Sequence, residues 1–277
     1  MSTNGTNDTV SVVTGALGGM GMEIAMGLAR RGGAVVLLGR DRARLDAAVE
    51  ALRSGSGNPQ VFGVPVDFSS LESVRQAAAA ITGRHPTLHV LSHNAAVFAS
   101  SRQTTADGHE LMFGVNHLAP LLLTRLLVPA LAPGARVIWN SGDWKNTIDF
   151  EDLQATKRWN TLEVFGRSKS ANNLMAAELA ERLADKKIAV HAVHPGFVKS
   201  TLVREAPLPL RIIFSLIGQS RHQGASWLLR AATEPSLAGQ TGKFFVKAAE
   251  RPFPAPAQDR EARARLYRVS EQILGLG

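Results

Sequence analysis

Short apolar runs rich in Val and Leu recur along the chain at Val10–Thr14, Ala34–Leu38, Val61–Val66, Leu88–Leu91, Arg136–Trp139, Ile188–Val193 and Lys243–Val246. They lack polar alternation, as strands buried on both faces do. Between them apolar residues return at three- and four-residue spacing, over Glu23–Arg31, Arg42–Arg53, Leu71–Ile81 and Ala171–Leu183, which predicts amphipathic helices. Strand and helix alternate, so the pattern predicts an α/β protein with a doubly wound, seven-stranded parallel sheet. The alternation weakens after Thr201: Leu202–Gly218 is apolar and punctuated by proline, and from Arg251 the chain is Pro-rich before a final charged helix. No repeat or linker marks a second domain, so residues 1–277 are expected to form one domain with a flexible stretch over 1–9.

A chain of 277 residues can bury a self-sufficient core. It has no cysteine, which excludes disulfides, thiolate catalysis and cysteine-ligated zinc. The polar stretch Met1–Thr9 has neither a basic nor an apolar signal region, and no run approaches the roughly 18 apolar residues of a membrane span. These features lead us to expect a soluble cytoplasmic protein without an integral membrane segment. Lys and Arg outnumber Asp and Glu by 31 to 23, a formal charge of +8. The basic residues are dispersed, as in Arg30, Arg42 and Arg260, and mostly alternate with acids, so nucleic acid is not an expected partner. The excess favours anionic small molecules at long range.

Directly after the first strand comes Thr14-Gly15-Ala16-Leu17-Gly18-Gly19-Met20-Gly21, followed by a helix. Glycines there let the backbone turn tightly, approach a pyrophosphate and aim helix N–H groups at the anion. The placement between first strand and first helix predicts a Rossmann-type dinucleotide site, with Leu17 and Met20 beside the glycines. At the end of the second strand an acid would hold the ribose hydroxyls of NAD, and a basic residue the 2′-phosphate of NADP. Gly39-Arg40 favours NADP(H), since the Arg fork suits phosphate; the adjacent Asp41 stands as the competing hydroxyl ligand.

These residues resemble the short-chain dehydrogenase/reductase family, whose form of the turn is the TGxxxGxG spacing of Gly15, Gly19 and Gly21. Further matches follow in order. Asp67 falls where the family holds the adenine amine, Asn94 in His93-Asn94-Ala95-Ala96 on its NNAG turn, and Asn116 on its helix asparagine. Pro195, Gly196 and Val198 match the motif lining the nicotinamide, and Phe165-Gly166-Arg167-Ser168-Lys169 lies on YxxxK. The whole chain resembles the retinol-dehydrogenase-like branch. The resemblance implies that tyrosine protonates the alkoxide formed by hydride transfer, lysine lowers the tyrosine pKa and holds the ribose, serine orients the carbonyl, and asparagine anchors a relay water. Lys169 and Asn116 are present. The serine falls on Gly142 if the strand is aligned without a gap, and on Ser141 if one residue is deleted; we take Ser141 as the candidate.

Tyrosine is replaced by Phe165, and the single tyrosine of the chain is Tyr267, in the terminal helix. Loss of a positioned general acid typically costs about 10²–10⁴ in rate. Three readings stay open: an acid removed deliberately to trap a complex; an enzyme whose iminium, enone or quinone-like substrate needs no tyrosine, or whose proton comes from Asp143, Lys145, Glu163, His194 or Lys169; and a structural NADP(H) in a non-redox isomerase, cyclase or cofactor sensor. His93 and His194 are expected as wall residues, because no second ligand stands at metal spacing. Trp139 is expected in the core, whereas Trp144 and Trp159 are candidates for stacking on substrate. The segment at about 200–222 is expected to cover a lipophilic substrate, with a homodimer or membrane-surface contact as competing roles.

Overall fold

The computed structural model describes residues 8–199 and 218–276. The first half builds β1 (Val10–Thr14), α1 (Gly19–Ala29), β2 (Ala34–Gly39), α2 (Arg42–Ser56), β3 (Val61–Pro65), α3 (Leu71–Arg84) and β4 (Leu88–His93). A long helix α4 (Leu111–Ala130) leads into β5 (Leu131–Asn140). Then follow α5 (Thr161–Arg182), β6 (Ala189–His194), α6 (Arg221–Thr233), β7 (Lys243–Val246), β8 (Ala249–Arg251) and α7 (Arg260–Leu274).

The strands lie in the order β3-β2-β1-β4-β5-β6-β7-β8. All pairings are parallel except β7 with β8. The sequence predicts seven strands, and the eighth is a short antiparallel return onto the edge, fully exposed and therefore without an apolar signal. Each central strand feeds both layers: Val12, Val36 and Leu38 pack with α3, α4, α5 and α7, while Val13, Val35 and Leu37 pack with α1, α2 and α6. Continuous apolar runs are the consequence of two covered faces.

Helix ends follow local chemistry. Asp41 and Ser70 cap α2 and α3 by accepting the Arg44 and Ser73 backbone N–H groups, and Gly57 closes α2 in the left-handed region. α1 is different: Gly18 gives it no side-chain cap and its first turn carries no acid, so its leading N–H groups are left for a ligand. α4 is long and apolar enough to cross a membrane, but 83% of its apolar window is buried inside the fold as a core helix. Being apolar all round, it shows no helical stripe in the sequence. Within it a π-turn spans Gly114–Leu118.

The strand order reverses between β1 and β4, and the carboxyl ends of strands at such a switch point are where open α/β sheets bind ligands. There Thr14 Oγ1 accepts the backbone N–H groups of Asn94 and Ala95, both at 2.9 Å. Thr14→Val keeps the shape and leaves both donors unpaired. It is expected to cost roughly 1–3 kcal/mol in urea unfolding, with an unchanged denaturant slope.

Candidate active site

The expected dinucleotide residues gather along the carboxyl edge of the sheet. Gly15 follows β1 at φ +66°, and a Cβ there would stand 2.9 Å from Ala95 Cα and N. Gly19 starts α1, also at positive φ, and a Cβ on Gly21 would run into the Gly15 carbonyl oxygen. Leu17 lies over Gly39, so that glycine makes room for Leu17. Met20 and Val198 both reach Gly224 near the start of α6, which joins the first turn to the Pro195-Gly196 loop. Arg40 is exposed at the end of β2. Asp67 binds Ser69 through Oδ1, by backbone N–H at 2.9 Å and hydroxyl at 2.7 Å. Asn94 accepts the Asn140 amide at 3.0 Å.

Next to this edge, α5 carries Phe165 and, one turn later, Lys169. Phe165 is buried, edge-on to Phe98 at 5.1 Å and to Trp144 at 5.9 Å between ring centroids. Lys169 is 5% exposed; its Nζ donates to the Asn140 carbonyl at 3.2 Å and stands 5.8 Å from the Phe165 ring centre. Burial pushes its pKa down to about 8.

Two of the expected residues already make contacts within the protein. Ser141 is turned towards α5: its hydroxyl lies 2.6 Å from Asn173 Oδ1 and 3.1 Å from the Lys169 carbonyl oxygen, so it braces the helix. Gly142 is the neighbour without a side chain. Asn116 sits in the π-turn, but both donors of its amide are occupied, by the Val97 carbonyl and Ser168 Oγ, each at 3.0 Å, and its oxygen accepts the Val97 N–H at 2.8 Å. Its side chain therefore fastens the loop after β4 to α5.

The alternative proton sources differ in placement. Asp143 and Lys145 are exposed, and Glu163 is paired with Arg158 at 3.4 Å in the first turn of α5. Burial lowers the His194 pKa. His93 bonds Thr124 inside the core, and burial lowers it to about 3, while Trp139 is fully buried against it. Trp144 and Trp159 belong with Phe98, Val164 and Phe165 to a separate apolar cluster. Among the described residues no group of acids and histidines could hold a metal. Most of the expected substrate-covering segment lies outside the described residues, as do residues 1–7.

The short chain dehydrogenase family matches residues 9–209. The chain belongs to this family. It is 36% identical to "Retinol dehydrogenase 12" of Mus musculus over 273 residues, covering 96% of this chain and 86% of that protein. Against "Retinol dehydrogenase 13" of Homo sapiens it is 36% identical over 279 residues, covering 96% and 84%. A crystal structure of an uncharacterized protein from Mycobacterium Paratuberculosis superposes with TM-score 0.79 at 29% identity, covering 96% and 93% of the two chains. L-sorbose reductase from Gluconobacter frateurii, solved with NADPH and L-sorbose, shares the fold with TM-score 0.68 at 20% identity, over 87% and 95%. The protein is thus an oxidoreductase of the retinol-dehydrogenase-like branch, using a nicotinamide cofactor on a small molecule.

The same comparison overturns the cytoplasmic expectation. That expectation rested on missing cysteine and a polar leading stretch, neither of which separates a cytosolic enzyme from one working at a membrane surface.

Sequence reasoning missed Asn140, which takes Lys169 with its carbonyl and Asn94 with its amide, and Asn173, which fixes Ser141. Neither lies in a recognisable motif, because both act through tertiary contact.

Lys169 yields a pH prediction. Its folded pKa of about 8 lies below the free value of 10.5, so the unfolded chain binds more protons between the two and stability rises with pH there. Without ligand, Lys169→Met should therefore be more stable near pH 7, by no more than about 3 kcal/mol, with the gain gone by about pH 10. Thermal unfolding across pH checks this.

Proposed function

We propose that the protein is an NADP(H)-dependent reductase of a bulky lipophilic carbonyl, imine or activated alkene, working without the tyrosine acid of its family. The observation that carries this reading is Phe165, an aromatic ring without a hydroxyl, one turn before Lys169 and packed among Phe98 and Trp144. No tyrosine can stand in for it: Tyr267 is on α7, donates to Glu271 at 2.7 Å and is pushed up to about 12, mainly by burial.

Preference for NADP(H) is supported by Arg40, exposed at the end of β2, and by the work Asp41 does elsewhere. Asp41 spends Oδ1 on the Arg44 backbone N–H at 3.0 Å as the cap of α2, which weakens its claim as the ribose ligand. The uncapped α1 N-terminus, with Gly15, Gly19 and Gly21, fits a pyrophosphate. Asp67, Asn94, Pro195, Gly196 and Val198 would line the rest of the cofactor, and Lys169 would hold the ribose.

When bound, the nicotinamide supplies a hydride. The chain's own residues would then exclude water around the acceptor with Phe98, Phe165 and Trp144, and set a cation beside it with Lys169. An iminium becomes a neutral amine on accepting hydride, and an enone becomes a delocalised enolate that takes its proton from solvent. Neither requires a positioned acid, whereas an ordinary ketone would leave a localised alkoxide. The retinol dehydrogenase relatives make long apolar substrates the natural starting panel.

NADPH oxidation should be followed with ketones, enones and iminium ions for the protein and for Phe165→Tyr. The parent is expected to reduce the activated acceptors, and the variant to gain ketone turnover of about 10²–10⁴. NADPH binding without consumption of any acceptor by either form would favour the non-redox reading. Arg40→Ser should weaken NADPH roughly tenfold or more, as for a lost charged hydrogen bond, and leave NADH unchanged; equal NADPH affinity would sink the cofactor preference.

A further inference from the structure

We propose that the Trp144 indole N–H donates the hydrogen bond that holds and polarises the substrate's oxygen, from the place where residue 142 has no side chain. This rests on the carbonyl-reductase reading above and assigns a group to it. The indole is inlaid between two glycines: a Cβ on Gly142 would collide with Trp144 Cδ1 and stand 2.6 Å from Nε1, and a Cβ on Gly166 would stand 2.8 Å from Cε3. The edge carrying the N–H thus fills the space in which a residue at 142 would start its side chain. Ser141, beside it, cannot serve, since its hydroxyl is committed to Asn173 and the Lys169 carbonyl.

The remaining contacts hold that edge in position. The indole meets Phe165 at 84° with centroids 5.9 Å apart, and its own backbone carbonyl accepts the Ser170 hydroxyl at 3.2 Å, tying residue 144 to α5. Among the described residues Trp144 Nε1 meets no hydrogen-bond acceptor and is not one of the sealed, unpartnered nitrogens, unlike the indole nitrogens of Trp139, Trp159 and Trp227. An unpaired donor on an otherwise packed ring, beside the Phe165–Lys169 turn, is placed to meet a ligand acceptor. Indole gives a hydrogen bond and keeps its proton. It can stabilise charge growing on oxygen without replacing the missing acid, which matches a substrate that takes its proton from solvent.

The probe is 4-(dimethylamino)cinnamaldehyde, an apolar aldehyde whose absorption moves to longer wavelength when its oxygen accepts a hydrogen bond. It is titrated into the protein saturated with NADP+, so no hydride is available and the spectrum alone is read. The expected result is a red shift with the parent protein that is lost in Trp144→Phe, together with roughly three- to tenfold weaker binding, the size of one neutral hydrogen bond. The pair Gly142→Ser with Trp144→Ala replaces the N–H by a hydroxyl and should restore the shift, which keeps the test valid if Trp144→Phe folds poorly. A shift that survives Trp144→Phe, or bound aldehyde with no shift in the parent, overturns the assignment. Failure of the aldehyde to bind while NADP+ binds overturns the carbonyl reading, and the Trp144 role with it.

Discussion

The contact on which the site depends is the close approach of the chain after β1 to the chain after β4. Gly15 can stand against Ala95 only because it lacks a Cβ, and Thr14 binds both strand ends through one hydroxyl oxygen. That junction fixes where the sheet reverses its order, and hence where α1 aims its uncapped N–H groups. Asn94 extends the junction to β5 through Asn140, whose carbonyl in turn takes the Lys169 ammonium. One chain of polar contacts therefore runs from the glycine turn to the buried lysine, and residue 165 is not part of it.

This separation means that the polar chain needs no hydroxyl at residue 165. Phenylalanine fills the ring's space against Phe98 and Trp144, and Lys169 remains anchored on the Asn140 carbonyl. The local chemistry is an apolar wall, a lysine brought down to about 8 by burial, and a serine hydroxyl facing α5. Desolvated charge beside an apolar surface suits an acceptor whose charge becomes neutral or spreads as it accepts hydride.

Most of the fold was legible because strands covered on both faces must be continuously apolar, and Val10–Thr14 and Lys243–Val246 have the bounds that rule predicts. β8 and α4 were not legible, the one exposed and the other apolar all round, so neither carries a periodic signal. The glycine turn was legible because its spacing serves a backbone function that no other residue fills. The contacts of Ser141 were not legible, because its hydroxyl is turned towards Asn173 on another element. Trp144 was named for stacking; its seat between Gly142 and Gly166 is a tertiary contact without a sequence signal.

The independence of the cofactor site from residue 165 is tested most directly by calorimetric titration of NADPH into the protein and into Phe165→Tyr. An intact site predicts one NADPH per chain with the same dissociation constant in both. No binding, or binding by the Tyr form alone, would contradict it.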